Sequence, residues 1–294
     1  MADELFDLLQ NHVHAESKIT WDGTLRDYVK LVTENPALHK NAHQRVLEMI
    51  ESHGVVKDDD DRIVSYNFFK DDLFGIDTPI EHIMSYLRAA AAGSEVSRRI
   101  LLLFGPTSSG KSQLAILLKR GMEAYSKTEA GAIYALSESP MYEDPLCAIP
   151  HELRSEFKER YGLVIKGDLS PLMSVILNET YDGNFLDLPV RRLVISERDR
   201  ACIGTFVPSD KKSQDISELV GSLDLSTIGT YGSESDPRAY RFDGELNVAN
   251  RGIMEFVEML KVDQKFLYVL LTLAQEKNIK TGRFPLIYAD EFVL

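Results

Sequence analysis

Eight residues, GPTSSGKS from Gly105 to Ser112, have the types and spacing to hold a polyphosphate. Glycines at both ends let the chain turn tightly and aim successive backbone N–H groups inward, where anionic oxygens can accept from them. Pro106, Thr107, Ser108 and Ser109 form the arch between Gly105 and Gly110. Lys111 can reach the terminal phosphates, and the Ser112 hydroxyl is a hard oxygen ligand suited to Mg²⁺. Gln113 continues into the following segment. By average residue usage the pattern G-x4-G-K-[ST] arises by chance in roughly one chain in a hundred of this length. The flanks make coincidence rarer, because RRILLLF precedes the loop and the amphipathic run QLAILLKRGMEAY follows it. Strand, loop and helix is the order a phosphate cradle requires, so the expected ligand is a nucleoside triphosphate or diphosphate. An ordinary Gly-rich strand-to-helix turn would leave Gly110, Lys111 and Ser112 together unexplained.

Turnover needs more than a phosphate grip: an acid to hold Mg²⁺ through water, and a group to orient the attacking water. Such groups are expected at the end of a strand beside the phosphate-loop strand. NVANRGIMEFVEML supplies the best candidate, an apolar run that ends at Glu258. The position before it is Val257 instead of a second acid. Glu255 interrupts the run two residues earlier and, by strand alternation, shares a face with Val257 while Glu258 points to the other. Glu258 is therefore the expected catalytic or Mg²⁺-linked carboxylate, and Glu255 a secondary one. A solvated helix carrying the two as surface neighbours is the competing reading.

Composition bounds the remaining possibilities. The 294 residues can bury a substantial core, and 44% are hydrophobic and 27% charged, as in an ordinary water-soluble globule. No apolar run approaches the roughly 18 residues of a membrane span, and acidic residues follow Met1 where a secretory signal would be basic. The cytoplasm is the expected compartment. Cys147 and Cys202 are too few for a disulfide framework. A formal net charge of -13 argues against a nucleic-acid groove as the main activity.

Residues 1–70 read as a helical N-terminal extension: LFDLLQNHVH, then TLRDYVKLVTENP stopped at Pro36, then AHQRVLEMIESHG stopped at Gly54. The run Asp58 to Asp61 reads as a solvated loop, and His12 and His14 as ordinary histidines. Residues 71–294 read as the nucleotide-binding core. An Ala-rich helix ends at Gly93, Arg99–Phe104 is expected as a strand buried on both faces of a parallel sheet, and GAIYALS and RRLVIS are further strand candidates. FLYVLLTLAQE is a strong amphipathic helix. The final FPLIYADEFVL alternates like a strand with no polar tail, which suggests a piece cut from a longer protein.

Assembled, these residues resemble the AAA+ superfamily, in its MoxR and magnesium-chelatase branch: LVGSLDL, then FDGELNVANRGIMEFVEML, then LLTLAQEKNIKTGRF. Within it the chain is similar to the AAA-type ATPase portion of the PrkA family of bacterial serine protein kinases. PSDKKSQDISELVGSLDL, YGSESDPRAYRFDGELNVANRG and FLYVLLTLAQEKNIK carry that likeness, from about Asp22 to the end. The resemblance implies an α/β P-loop NTPase fold with a three-layer parallel sheet, ATP or ADP with Mg²⁺ as cofactors, and adenine against Phe74, Gly75 and Ile76. It implies a kinase-like region, a sensor residue and a helical lid beyond Leu294, a protein substrate for that region, and a homo-oligomer completed by an arginine. Arg191, Arg192, Arg198, Arg200 and Arg251 are the arginines considered for that role.

No H-R-D, D-F-G or V-A-I-K kinase set occurs in the chain itself. The function implied is an ATP-binding module whose nucleotide state regulates protein phosphorylation, with slow hydrolysis by the isolated chain. Two other readings stay open. One is a nucleotide sensor without useful hydrolysis, which Val257 favours. The other is an unfoldase or protease regulator, which would need aromatic pore loops, with Tyr142 and Phe185 as candidates.

Overall fold

The computed structural model describes residues 6, 19–60, 62–208, 215–281 and 284–294. LFDLLQNHVH, His12 and His14 therefore lie outside the described residues apart from Phe6, as does Asp61.

The chain enters through β1 (Asp22–Thr24) and α1 (Leu25–Glu34), where Thr24 and Asp27 close a capping box. A second capping box, Asn41 with Gln44, starts α2 (Ala42–Ser52). A hairpin follows, β2 (Val55–Lys57) paired antiparallel with β3 (Ile63–Tyr66). Next come α3 (Asp77–Ala91) and α4 (Lys111–Ser126). β4 (Ile133–Leu136), α5 (His151–Tyr161), α6 (Pro171–Thr180) and β5 (Pro189–Leu193) form the middle of the chain. Then follow β6 (Ile203–Phe206), α7 (Ser217–Val220), β7 (Ser222–Leu223), α8 (Leu225–Tyr231), β8 (Tyr240–Arg241) and α9 (Glu245–Ala249). The last elements are β9 (Ile253–Phe256), α10 (Gln264–Glu276), β10 (Asn278–Ile279), β11 (Ile287–Tyr288) and β12 (Phe292–Val293).

A parallel sheet in the order β12-β9-β6 forms the middle layer around the expected acidic strand. Strand alternation divides its side chains between two cores. Ile203, Ile253 and Phe292 join a core with α2, α3 and α4, while Met254, Phe256 and Val293 join another with α9 and α10. A second sheet, β1-β5-β4, is antiparallel. On β4, Ile133 and Ala135 face the first core while Tyr134 and Leu136 face a third core that contains α1.

GAIYALS therefore holds a strand as expected and RRLVIS does so over Arg191–Leu193, but in an antiparallel sheet. The N-terminal helices are built into the molecule: β1 pairs with β5, and Val46, Met49 and Ile50 of α2 pack with Leu114, Leu118 and Met122 of α4.

Arg99–Phe104 departs from expectation. It forms no strand, and Leu101 N–H donates to Val293 C=O at 3.1 Å. Leu101 and Leu103 pack on the first core, whereas Leu102 and Phe104, on the alternate face, are exposed. An unbroken apolar run does not reveal whether both of its faces are covered, and here one is covered only at Ile100. The tie to Val293 also places β12 between this segment and β9, so Glu258 follows a strand that is not the phosphate segment's direct neighbour.

Candidate functional site

Gly110 takes a left-handed φ of 84°, a conformation glycine adopts at no steric cost, and α4 begins at the next residue. A Cβ on Gly110 would also come within 3.3 Å of Leu73 Cδ2. Among the described residues no side chain caps α4, and its ladder opens with Leu114 N–H donating to Gly110 C=O at 2.8 Å. The N–H groups ahead of Leu114 are therefore left for an anion, and the helix dipole favours one there. Ser108, at φ 62°, bends the arch. Pro106, Thr107, Ser108 and Ser112 are exposed, while Gly105, Ser109, Gly110, Lys111 and Gln113 are partly covered.

Lys111 folds over the loop. Its Nζ donates to the carbonyls of Gly105 at 3.0 Å and Pro106 at 2.6 Å and to Ser109 Oγ at 3.1 Å. Those acceptors hold the cation above the arch, where an incoming phosphate oxygen can replace them as partner. The donor set fits a magnesium polyphosphate: backbone N–H groups and an ammonium for the anion, and the Ser112 hydroxyl for the metal.

The segment ahead of α3 borders this loop. Gln113 Nε2 donates to Asp72 Oδ1 at 3.1 Å, and Leu73 and Ile76 flank Gly110. Phe74 is 77% exposed, and with Gly75 it lines a cavity of about 300 Å³. Of the three residues expected at the base, Ile76 thus lies beside Gly110, and Phe74 and Gly75 line the adjoining cavity.

Glu258 already has a partner of its own. Glu258 lies past the end of β9 in a left-handed conformation, φ 52°, with its carboxylate bonded to Lys261 at 2.6 Å. Glu255 is engaged elsewhere too: Lys119 of α4 pairs with it at 2.7 Å and with Glu197 at 2.5 Å. Among the arginines, Arg251 is buried, and Arg192 is held by Glu129 and the carbonyls of Lys127 and Thr128. Arg200 bonds Glu245 and the Asp243 carbonyl, and Arg198 is exposed. The aromatic loop candidates are packing groups. Tyr142 donates its hydroxyl to Arg200 C=O at 3.1 Å and packs on the first core, and Phe185 packs on the third.

Sequence reasoning missed a buried charge cluster at the amino-terminal ends of β9 and β12. Arg251 Nη1 donates to Tyr134 C=O, and its Nη2 lies 3.6 Å from Asp144. His39 Nδ1 lies 3.2 Å from the same carboxylate. Burial alone would raise the Asp144 carboxyl, but Arg251 and then His39 outweigh it and hold the group well below the usual carboxylate range. Asn250 donates to Met141 C=O and accepts from Asp290 N–H, and Asp290 accepts from Ala42 N–H. The polar pair Asn250–Arg251 inside NVANRGIM was the available signal, but partners 40 to 117 residues away leave no local pattern.

The sequence model described as the PrkA AAA domain matches residues 23–294. The chain belongs to the PrkA AAA domain family. A PrkA AAA domain is a P-loop NTPase fold, in keeping with the mixed architecture and parallel sheet seen here. The chain is 50% identical over 292 residues to a Bacillus subtilis (strain 168) protein named ATP-dependent protease PrkA, covering 99% of this chain and 46% of that protein. It is 33% identical over 272 residues to an Escherichia coli (strain K12) protein named serine/threonine kinase YeaG, covering 87% of this chain and 41% of that protein. The chain thus spans a little under half the length of these curated relatives. No solved structure matches it. Among the described residues no helix is long and apolar enough to cross a membrane.

Proposed function

We propose that this PrkA AAA domain binds ATP or ADP with Mg²⁺ at Gly105–Ser112 and that its nucleotide state governs the activity of a longer, cytoplasmic protein. The observation that carries the reading is Lys111, held over an arch whose following helix has no cap of its own. Lys111 and the N–H groups from Thr107 to Gln113 would grip the phosphates, Ser112 would ligate Mg²⁺, and Phe74, Gly75 and Ile76 would border the base. Bound Mg²⁺ supplies charge neutralisation at the phosphates. Glu258 is the chain's own candidate for orienting water, once released from Lys261.

The governed activity is phosphorylation of protein serines, in line with the name of the Escherichia coli relative. A second reading, ATP-dependent proteolysis, is favoured by the name of the Bacillus subtilis relative. The packed positions of Tyr142 and Phe185 give that reading no pore-loop aromatic at either place. Assays of the longer protein for phosphate incorporated into protein, against peptides released, separate the two. A homo-oligomer that supplies an arginine across its interface would complete the site under either.

Hydrolysis by the 294-residue chain alone is expected to be slow. Val257 cannot hold the metal's water, and Glu258 is paired with Lys261. Phosphate charge that develops without an arginine can cost about 10³ to 10⁵ in rate. Steady-state phosphate release at saturating ATP should stay below about 1 s⁻¹, the low end of ordinary enzyme turnover. A faster rate that disappears in Glu258→Gln would show a complete ATPase site.

A further inference from the structure

The cavity beside the phosphate loop has a second wall that sequence reasoning left as a solvated acidic loop. Asp58 Oδ1 accepts from Asp60 N–H at 3.0 Å and from Arg62 N–H at 2.8 Å, which ties the tip of the β2–β3 hairpin. Behind that tip, Val56 and Val64 are 44% and 53% exposed, and both line the same cavity as Phe74. Singly exposed apolar side chains need no explanation, but three that converge on one cavity mark surface awaiting cover. Leu73 joins this cavity to the phosphate loop, because it lines the cavity and lies where a side chain on Gly110 would meet it.

We infer that the β2–β3 hairpin is the outer wall of the base pocket, with Val56 and Val64 covering a flat purine ring that also meets Phe74. The inference rests on the nucleotide-binding reading above. A planar base has two apolar faces, and the segment ahead of α3 by itself covers one of them. Apolar walls on both sides remove both faces from water, and polar groups at the margin bond the ring edge. Asn67 lines the same cavity, and its amide Nδ2 donates to His53 C=O at 3.3 Å, which leaves its oxygen to accept from a base amine.

The test uses Val64→Asp and, separately, Val56→Asp in the 294-residue chain, titrated calorimetrically with Mg²⁺–ATP and with Mg²⁺–tripolyphosphate, which has no base. Both valines are substantially exposed, so neither substitution removes a core contact. ATP affinity should fall about tenfold or more, as expected when an apolar contact becomes a desolvated carboxylate, with tripolyphosphate affinity held within about twofold. Unchanged ATP affinity in both variants would overturn the hairpin's role and leave the phosphate loop standing. Equal loss of both ligands would also overturn it, because the hairpin would then act on the loop and not on the base. Failure of the unsubstituted chain to bind either ligand would remove the nucleotide reading itself, and this inference with it.

Discussion

Replacement of Arg251 by alanine is expected to destabilise the chain by about 3–5 kcal/mol, the cost typical of breaking a buried ion pair from one side. Arg251 is 4% exposed, and its guanidinium answers the largely covered Asp144 carboxylate and the Tyr134 carbonyl together. Without it, His39 and the Leu146 N–H would be left to face that charge. The depressed Asp144 carboxyl also fixes the pH sense of the cluster's contribution. A group with a lowered folded pKa stabilises above its ordinary value of 3.8, and that stability is lost as pH falls below it. Urea denaturation at neutral pH measures the effect. Asp144→Asn in the Arg251→Ala background should recover part of the loss, because it removes the stranded charge. Strictly additive losses would contradict the pairing.

Glu291 gives the second large effect, with the opposite sense. It is 1% exposed, and neither carboxylate oxygen finds a hydrogen-bond partner among the described residues. Burial pushes its carboxyl up to about 8, against an ordinary 4.5, with Lys277 opposing. Between those values the folded chain holds a proton that the unfolded chain has released. Stability should therefore fall as pH rises through that window, by roughly 3–5 kcal/mol in total. Glu291→Gln removes the titration, so its stability profile should be flatter from pH 5 to 8. Unfolding curves at several pH values provide the comparison, and parallel profiles for the two proteins would contradict the assignment.

These two effects come from residues that the sequence does not advertise, and the reason is distance along the chain. The phosphate loop is legible because Gly105, Gly110, Lys111 and Ser112 act through local backbone geometry, and the α4 start and the left-handed Gly110 follow from it. The helices α1 and α2 were equally legible from apolar spacing and the stops at Pro36 and Gly54. The strand β9 was read from its apolar run, but the left-handed turn that delivers Glu258 to Lys261 has no such signature. Arg99–Phe104 shows the limit of hydrophobicity as a guide. Its residues are as apolar as a buried strand's, yet cover for Leu102 and Phe104 is decided by neighbours far off in the chain. The hub of His39, Asp144 and Arg251 joins three separate stretches, so only the fold brings it together.

The central claim is that Lys111 and its loop hold a nucleotide's phosphates, and calorimetric titration of Lys111→Ala with Mg²⁺–ATP and Mg²⁺–ADP tests it most directly. Removing the ammonium should delete a charge-assisted phosphate contact of about 1.5–3 kcal/mol, a loss of roughly tenfold to more than a hundredfold in affinity. The fold should persist, because Lys111 is only partly covered and, among the described residues, bonds only to its own loop. Circular dichroism matching that of the unsubstituted chain would establish this. A folded Lys111→Ala chain that binds both nucleotides as tightly as the unsubstituted one would contradict the account.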